Sequence, residues 1–163
     1  MPTVISISGA VDANSYISEA DAEVYFTNVG VPAVWAAATT AQKQSALIAG
    51  TQYLDAKYAR RWSGLRATFE QRLAWPRTNV YDSDSFIVEG IPRNVQEATA
   101  EAAIRSLNGN LTDDTGYIRA ESVKVGEIET STQYSGGKSS RPGFSIIDQL
   151  LSYFVGGSSF DRS

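Results

Sequence analysis

Four stretches of this chain repeat apolar residues at a helical period, and each is bracketed by residues that start or stop a helix. In YISEADAEVYFTNVG (16–30), Ala22, Tyr25, Phe26 and Val29 fall at i, i+3, i+4 and i+7. Ser18 with Asp21 resembles a capping box, and Gly30 and Pro32 stop the helix. In TTAQKQSALIAGTQYLDAKYA (39–59), Thr39 and Gln42 form a capping box. Leu47, Leu54 and Tyr58 share one face there, widened by Ala46, Ile48 and Tyr53. Gly50 interrupts this longest helix at a cost of up to about 1 kcal/mol relative to alanine, which a close helix crossing would explain. Trp35, just upstream, is expected to pack over its start.

A third helix, PRNVQEATAEAAIRSLNG (92–109), starts on a proline and closes at Gly109. Its small residues lie on several sides, which suits a central helix approached closely by its neighbours. The last, FSIIDQLLSYFVGG (144–157), carries Ile147, Leu150, Leu151 and Phe154 in one stripe. ATFEQRLAW (67–75) reads as a further short helix ended before Pro76.

The period changes at SVKVGEIET (122–130), where alternation about Gly126 predicts a β-hairpin or bent ribbon within about 118–134. The expected fold is mainly α, a small helical bundle with a β-hairpin and a C-terminal helical arm. By residue, that is a bundle with hairpin over 1–134, a flexible linker over 135–143, an amphipathic helix or arm over 144–155 and a frayed tail over 156–163. The terminal helix either folds back onto its own bundle or docks in a groove on a partner.

A chain of 163 residues suggests one domain, able to bury roughly 70% of its unfolded surface without a metal or disulfide. It has no cysteine and no histidine, which removes the commonest general base, metal ligand and thiol nucleophile. No leader or membrane span is read in it, so the chain is expected to stay in the cell that makes it, and the sequon-like NLT at Asn110 is read as a chance match. SGGKSS (135–140) lacks the P-loop's first glycine, since Thr132 stands there, and Pro142 follows too soon for the required helix. Asp82 and Asp84 begin like a calcium loop, but Phe86 takes the third ligand position. Glu127 and Glu129 are explained by a solvated strand face. The expectation is a non-enzyme with no catalytic residue, metal site or cofactor.

The net charge of −4 is unevenly spread. Residues 1–55 carry five acids and one lysine, residues 56–77 six bases and one acid, and residues 78–163 twelve acids and seven bases. In the central basic island, Arg60, Arg61, Arg66, Arg72 and Arg77 interleave with Tyr58, Trp62, Phe69 and Trp75. That mixture suits single-stranded DNA, since arginines neutralise phosphates and rings stack bases. It equally suits a structural corner whose arginines pair with carboxylates, or a subunit interface. In the corner reading Leu73 and Trp75 anchor the core, Pro76 turns the chain, and Arg72 and Arg77 meet acids of the same or a neighbouring subunit.

An ordered set of segments carries a family resemblance: SYISEADAEVYF (15–26), Trp35, SALIAGTQYLD (45–55), WSG (62–64), LAWPR (73–77), GIPRNVQEATAEAA (90–103), VKVGEIE (123–129) and the apolar terminal helix. Over residues 15–155 the chain resembles head–tail connector, or adaptor, proteins of tailed bacteriophages, whose relatives often carry the label DnaT-like single-stranded-DNA-binding protein. The resemblance implies a structural component of the virion neck, made in the host cytoplasm. It implies a twelve-fold homo-oligomeric ring beneath the portal protein, in contact with a downstream neck or tail protein and with genomic DNA passing through the channel. The family's carboxy-terminal helix maps a portal-binding arm onto Phe144, Ile147, Leu150, Leu151 and Phe154. The alternative is a single-stranded-DNA-binding module of replication.

Overall fold

Two helices cross at Gly50, and the bundle is built around that contact. A Cβ on Gly50 would lie 2.9 Å from the Thr99 carbonyl oxygen and 3.1 Å from the Ala103 nitrogen. Only the missing side chain lets the two backbones approach so closely, which accounts for the glycine inside the longest helix. The computed structural model describes residues 1–109, 111, 124–125, 128–129 and 145–156.

Among the described residues five helices pack together. They are α1 (Glu19–Val29), α2 (Ala33–Ala37), α3 (Thr40–Tyr58), α4 (Arg93–Asn108) and α5 (Ser145–Leu151). Between α3 and α4, β1 (Leu65–Arg66) and β2 (Arg77–Thr78) form an antiparallel pair, with Leu65 opposite Thr78 and Arg66 opposite Arg77. After α4 comes the hairpin of β3 (Lys124–Val125) and β4 (Ile128–Glu129), antiparallel with Val125 opposite Ile128.

The caps form where the sequence places them. Ser18 Oγ accepts from the Asp21 N–H at 3.1 Å. Thr39 Oγ1 accepts from the Gln42 N–H, and Gln42 Oε1 accepts from the Thr39 N–H at 2.9 Å, closing the reciprocal box. On α1, Ala22 and Phe26 are buried while Val29 is exposed, so the stripe is one turn shorter than its sequence pattern. Phe26 packs against Trp35, which is fully buried on the short α2, an element the periodicity does not announce.

One expected helix is absent. Residues 67–75 form bends, because the Gln71 side chain takes over the hydrogen bonds that a helix would make. Its Oε1 accepts from the Thr68 N–H at 2.8 Å, and its Nε2 donates to the carbonyls of Leu73 and Pro76, each at 2.9 Å. The amide is buried, so satisfying both of its ends fixes the loop.

The terminal helix folds back onto its own bundle. Ile147, Leu151 and Phe154 join Tyr58, Trp62, Trp75 and Val95 in one core cluster. Asn94 donates to the Leu150 carbonyl at 3.1 Å, and beyond α5 Val155 bridges Trp62 in antiparallel fashion. Lys57 pairs with Asp148 at 2.8 Å, and the Tyr58 hydroxyl donates to the same carboxylate. The 135–143 linker, Phe144 and the tail from residue 157 lie outside the described residues.

The Asp148 anchor predicts a pH dependence. Burial works against ionisation of Asp148, but hydrogen bonds from Lys57 and Tyr58 outweigh it and hold the carboxyl below its usual range. A depressed folded value means stability that is present above the ordinary carboxylate pKa of about 3.9 and lost as pH falls through the folded value. The Asp148 carboxylate is partly solvated, so the contribution is about 0.2–1 kcal/mol. Thermal melts at pH 6 and pH 3 should therefore show a smaller acid loss for Asp148→Asn than for the unaltered chain. Equal losses would contradict the anchor.

Candidate functional site

The basic island is held by a closed loop. β1 and β2 tie its base, and the Ala67 N–H donates to the Pro76 carbonyl at 3.1 Å just inside. Gly64 makes the closure possible: its φ is +67°, and a Cβ there would lie 2.2 Å from the Thr78 carbonyl oxygen. The Trp75–Pro76 peptide is cis.

Under the loop sits a polar anchor that sequence reasoning missed. Tyr16 donates its hydroxyl to the Asp55 carboxylate, and that hydroxyl accepts from the N–H groups of Ala74 at 3.1 Å and Trp75 at 3.3 Å. Asp55 Oδ2 also accepts from the Ala74 N–H at 3.1 Å. Burial, with Asp55 alongside, pushes the Tyr16 phenol far up, so it remains a donor. Burial also raises the Asp55 carboxyl, against the opposing hydrogen bonds from Tyr16 and Ala74. The two residues come from segments 39 positions apart, and Asp55 sits among polar positions of α3, so no local pattern marks the pair. Tyr16→Phe should cost about 1–3 kcal/mol, because it leaves the Trp75 N–H without a partner and takes a donor from Asp55. Urea unfolding checks this, and a change under about 0.5 kcal/mol, the size of an ordinary surface substitution, would contradict it.

The structure sorts the mixed island into two sets. Tyr58, Trp62 and Trp75 are buried in the core, with Leu73 beside them. Arg60, Arg61, Arg66 and Arg72 are exposed, and so is Phe69, at 90%. Arg66 reaches back over the loop to donate to the Gln71 carbonyl at 3.2 Å. Arg61 lies 5.7 Å from the Tyr58 ring centre and adds to the positive field at Asp148. Among the described residues none of these four arginines forms an ion pair.

Arg77 is a different case. Its guanidinium donates to the carbonyls of Ser63 at 2.6 Å, Gly64 at 2.7 Å and Ala74 at 3.1 Å. Burial lowers its pKa. It staples the two sides of the loop and meets carbonyls where carboxylates were expected. Leu73 and Trp75 are buried in the core as the corner expectation has them, and among the described residues of the chain neither Arg72 nor Arg77 pairs with an acid. Of the expected arm residues, Ile147, Leu151 and Phe154 are buried in the chain's own core, and Leu150 is half-buried against it.

The described residues contain no group of His, Cys, Asp or Glu able to hold a metal ion. Asp82 Oδ1 instead accepts from the N–H groups of Asp84 and Phe86, each at 2.9 Å, capping its own loop. No helix among the described residues is long and apolar enough to cross a membrane.

A family model described as "Putative DnaT-like ssDNA binding protein" matches residues 3–162. No curated protein and no solved structure matches the chain. The family match overturns the head–tail connector reading drawn from the resemblance. With it go the virion-neck location, the twelve-fold ring, and the portal protein and downstream neck or tail protein as partners. Also withdrawn are genomic DNA in transit through a channel and the portal-binding role of the terminal helix. The matched description names a single-stranded-DNA binder over nearly the whole chain and none of those parts. The segments that carried the resemblance are those that build the helices, the loop corner and the hairpin, and a fold does not by itself specify a function.

Proposed function

We propose, on the premise that the chain belongs to the DnaT-like ssDNA binding protein family, that it binds single-stranded DNA through the loop carrying Arg60, Arg61, Arg66, Arg72 and Phe69, as a module of replication. The observation that carries this reading is the sorting of the island. The loop's buried aromatics brace it, while its exposed side chains include four arginines and one almost fully exposed ring, with Leu65, Thr68 and a single acid, Glu70, beside them. The exposed Phe69 ring, set among arginines, offers a face on which a base can stack. The arginines supply phosphate neutralisation without being committed to carboxylates of the described chain. Arg77, Tyr16 and Asp55 serve as positioning residues that hold the loop in place. The acidic remainder limits contact to this region, since the chain as a whole repels polyanions.

Fluorescence anisotropy with a labelled oligo(dT), repeated across salt concentrations, tests the reading. The expected plot of log K against log salt has a slope of about −0.7 for each phosphate neutralised, so about −3 for four arginines. A duplex of the same length should bind more weakly, because its bases are already stacked. Duplex binding as tight as single-strand binding, or no binding of either, would overturn it.

A further inference from the structure

Beside the arginine loop lies a groove of about 420 Å³, at the small end of the range for small-molecule sites. One wall is the loop itself, through Ala67, Pro76 and Thr78. The other is the hairpin that follows β2, where the Val88 N–H donates to the Val80 carbonyl at 2.9 Å and Tyr81 bridges Ile87. Tyr81 lines the groove while 54% exposed, and Glu89 lines it with an exposed carboxylate. Both walls are fixed by backbone hydrogen bonds, so the groove exists without a ligand.

The lining also sets a direction. Arg66 and Arg72 are exposed on the loop that supplies one wall and are not part of the lining, so a phosphate is attracted outside the groove, while Arg77, which does line it, spends its guanidinium on the carbonyls of Ser63, Gly64 and Ala74. Glu89 inside the groove repels a phosphate and can accept a hydrogen bond from the exocyclic amine of a base. Tyr81 offers a ring face at the same place. Resting on the single-strand reading above, we propose that the groove takes one unstacked base of the bound strand, stacked on Tyr81, and that Glu89 favours a base bearing an exocyclic amino group. Cytosine is then preferred to thymine, while the strand's phosphates remain on the arginines outside.

The test compares oligo(dC) with oligo(dT) of equal length at pH 7.5, on the unaltered chain and on Tyr81→Ala and Glu89→Gln. Oligo(dC) should bind about fivefold or more tightly than oligo(dT). Glu89→Gln should shrink that preference to within about twofold, against the loss of one such contact. Tyr81→Ala should weaken both oligonucleotides about fivefold or more. Both side chains are exposed enough for the variants to fold, which circular dichroism checks. If both oligonucleotides bind with equal affinity and neither variant changes it, the strand runs over the arginines without entering the groove, and the inference fails while the proposed function stands. If neither oligonucleotide binds, both fall.

Discussion

Replacing Arg60, Arg61, Arg66 and Arg72 together with glutamate is expected to reduce affinity for oligo(dT) on the order of 100-fold at physiological salt and to take about 3 units off the salt slope. The basis is the location of these four charges. They lie on exposed positions of the loop, and among the described residues they form no ion pair. Their loss therefore removes positive charge from the proposed contact surface without breaking an ion pair of the described residues. Two make internal contacts: Arg61 lies over the Tyr58 ring at 5.7 Å, and Arg66 donates to the Gln71 carbonyl, while Gln71 keeps its other bonds to Thr68, Leu73 and Pro76. The fold should persist, so circular dichroism and the melting temperature should change little. Titration of the variant against the unaltered chain reads the effect directly. An unchanged salt slope would place the contact surface elsewhere.

Trp75→Ala is expected to cost about 3–5 kcal/mol of stability, the range for large aromatic truncations in a core. The ring is 1% exposed. It meets Trp62 edge-on at 5.8 Å between centroids and Phe154 edge-on at 5.6 Å. Such pairs add about 0.5–1.5 kcal/mol each beyond the area they bury. Through Phe154 the same ring couples the arginine loop to the segment after α5, so the truncation should loosen both. Its backbone N–H is also held by Tyr16, which ties the packing to the polar anchor. Urea unfolding measures the loss, and a change below about 1 kcal/mol would show that the corner does not depend on this ring.

Much of the scaffold is legible in the sequence because its signals are local. Capping residues, a helical period and stopping glycines or prolines lie within a turn or two of the helices they define, and the alternation about Gly126 marks the hairpin in the same way. Gly50 is legible too, since a glycine inside a long helix costs free energy unless another backbone needs the space. What the sequence does not show depends on contacts between distant segments. The loop at 67–75 has an acceptable helical pattern, yet one buried glutamine amide redirects its backbone. α2 has no period of its own and is held by the burial of Trp35 against Phe26.

The candidate site divides along the same line. That arginines and aromatics are mixed over residues 57–77 is plain from the sequence. Which of them face solvent is not, because Trp62 and Trp75 are directed inwards by their partners on α3 and after α5. Phe69 differs from them only by position in a loop whose shape the sequence does not reveal. Arg77 likewise matches its neighbours in type but is consumed by three carbonyls. Tyr81, Phe86 and Tyr153, also exposed, lie outside the basic run and carry no local signal of a role.

The central claim is that one braced loop is the single-strand contact surface. Amide proton–nitrogen correlation spectra of the labelled chain, recorded with and without oligo(dT), test it most directly. The account predicts perturbations concentrated at residues 60–72, with Phe69 among the largest, and little change along the exposed face of α1. Perturbations that leave residues 60–72 unmoved and gather elsewhere would contradict it.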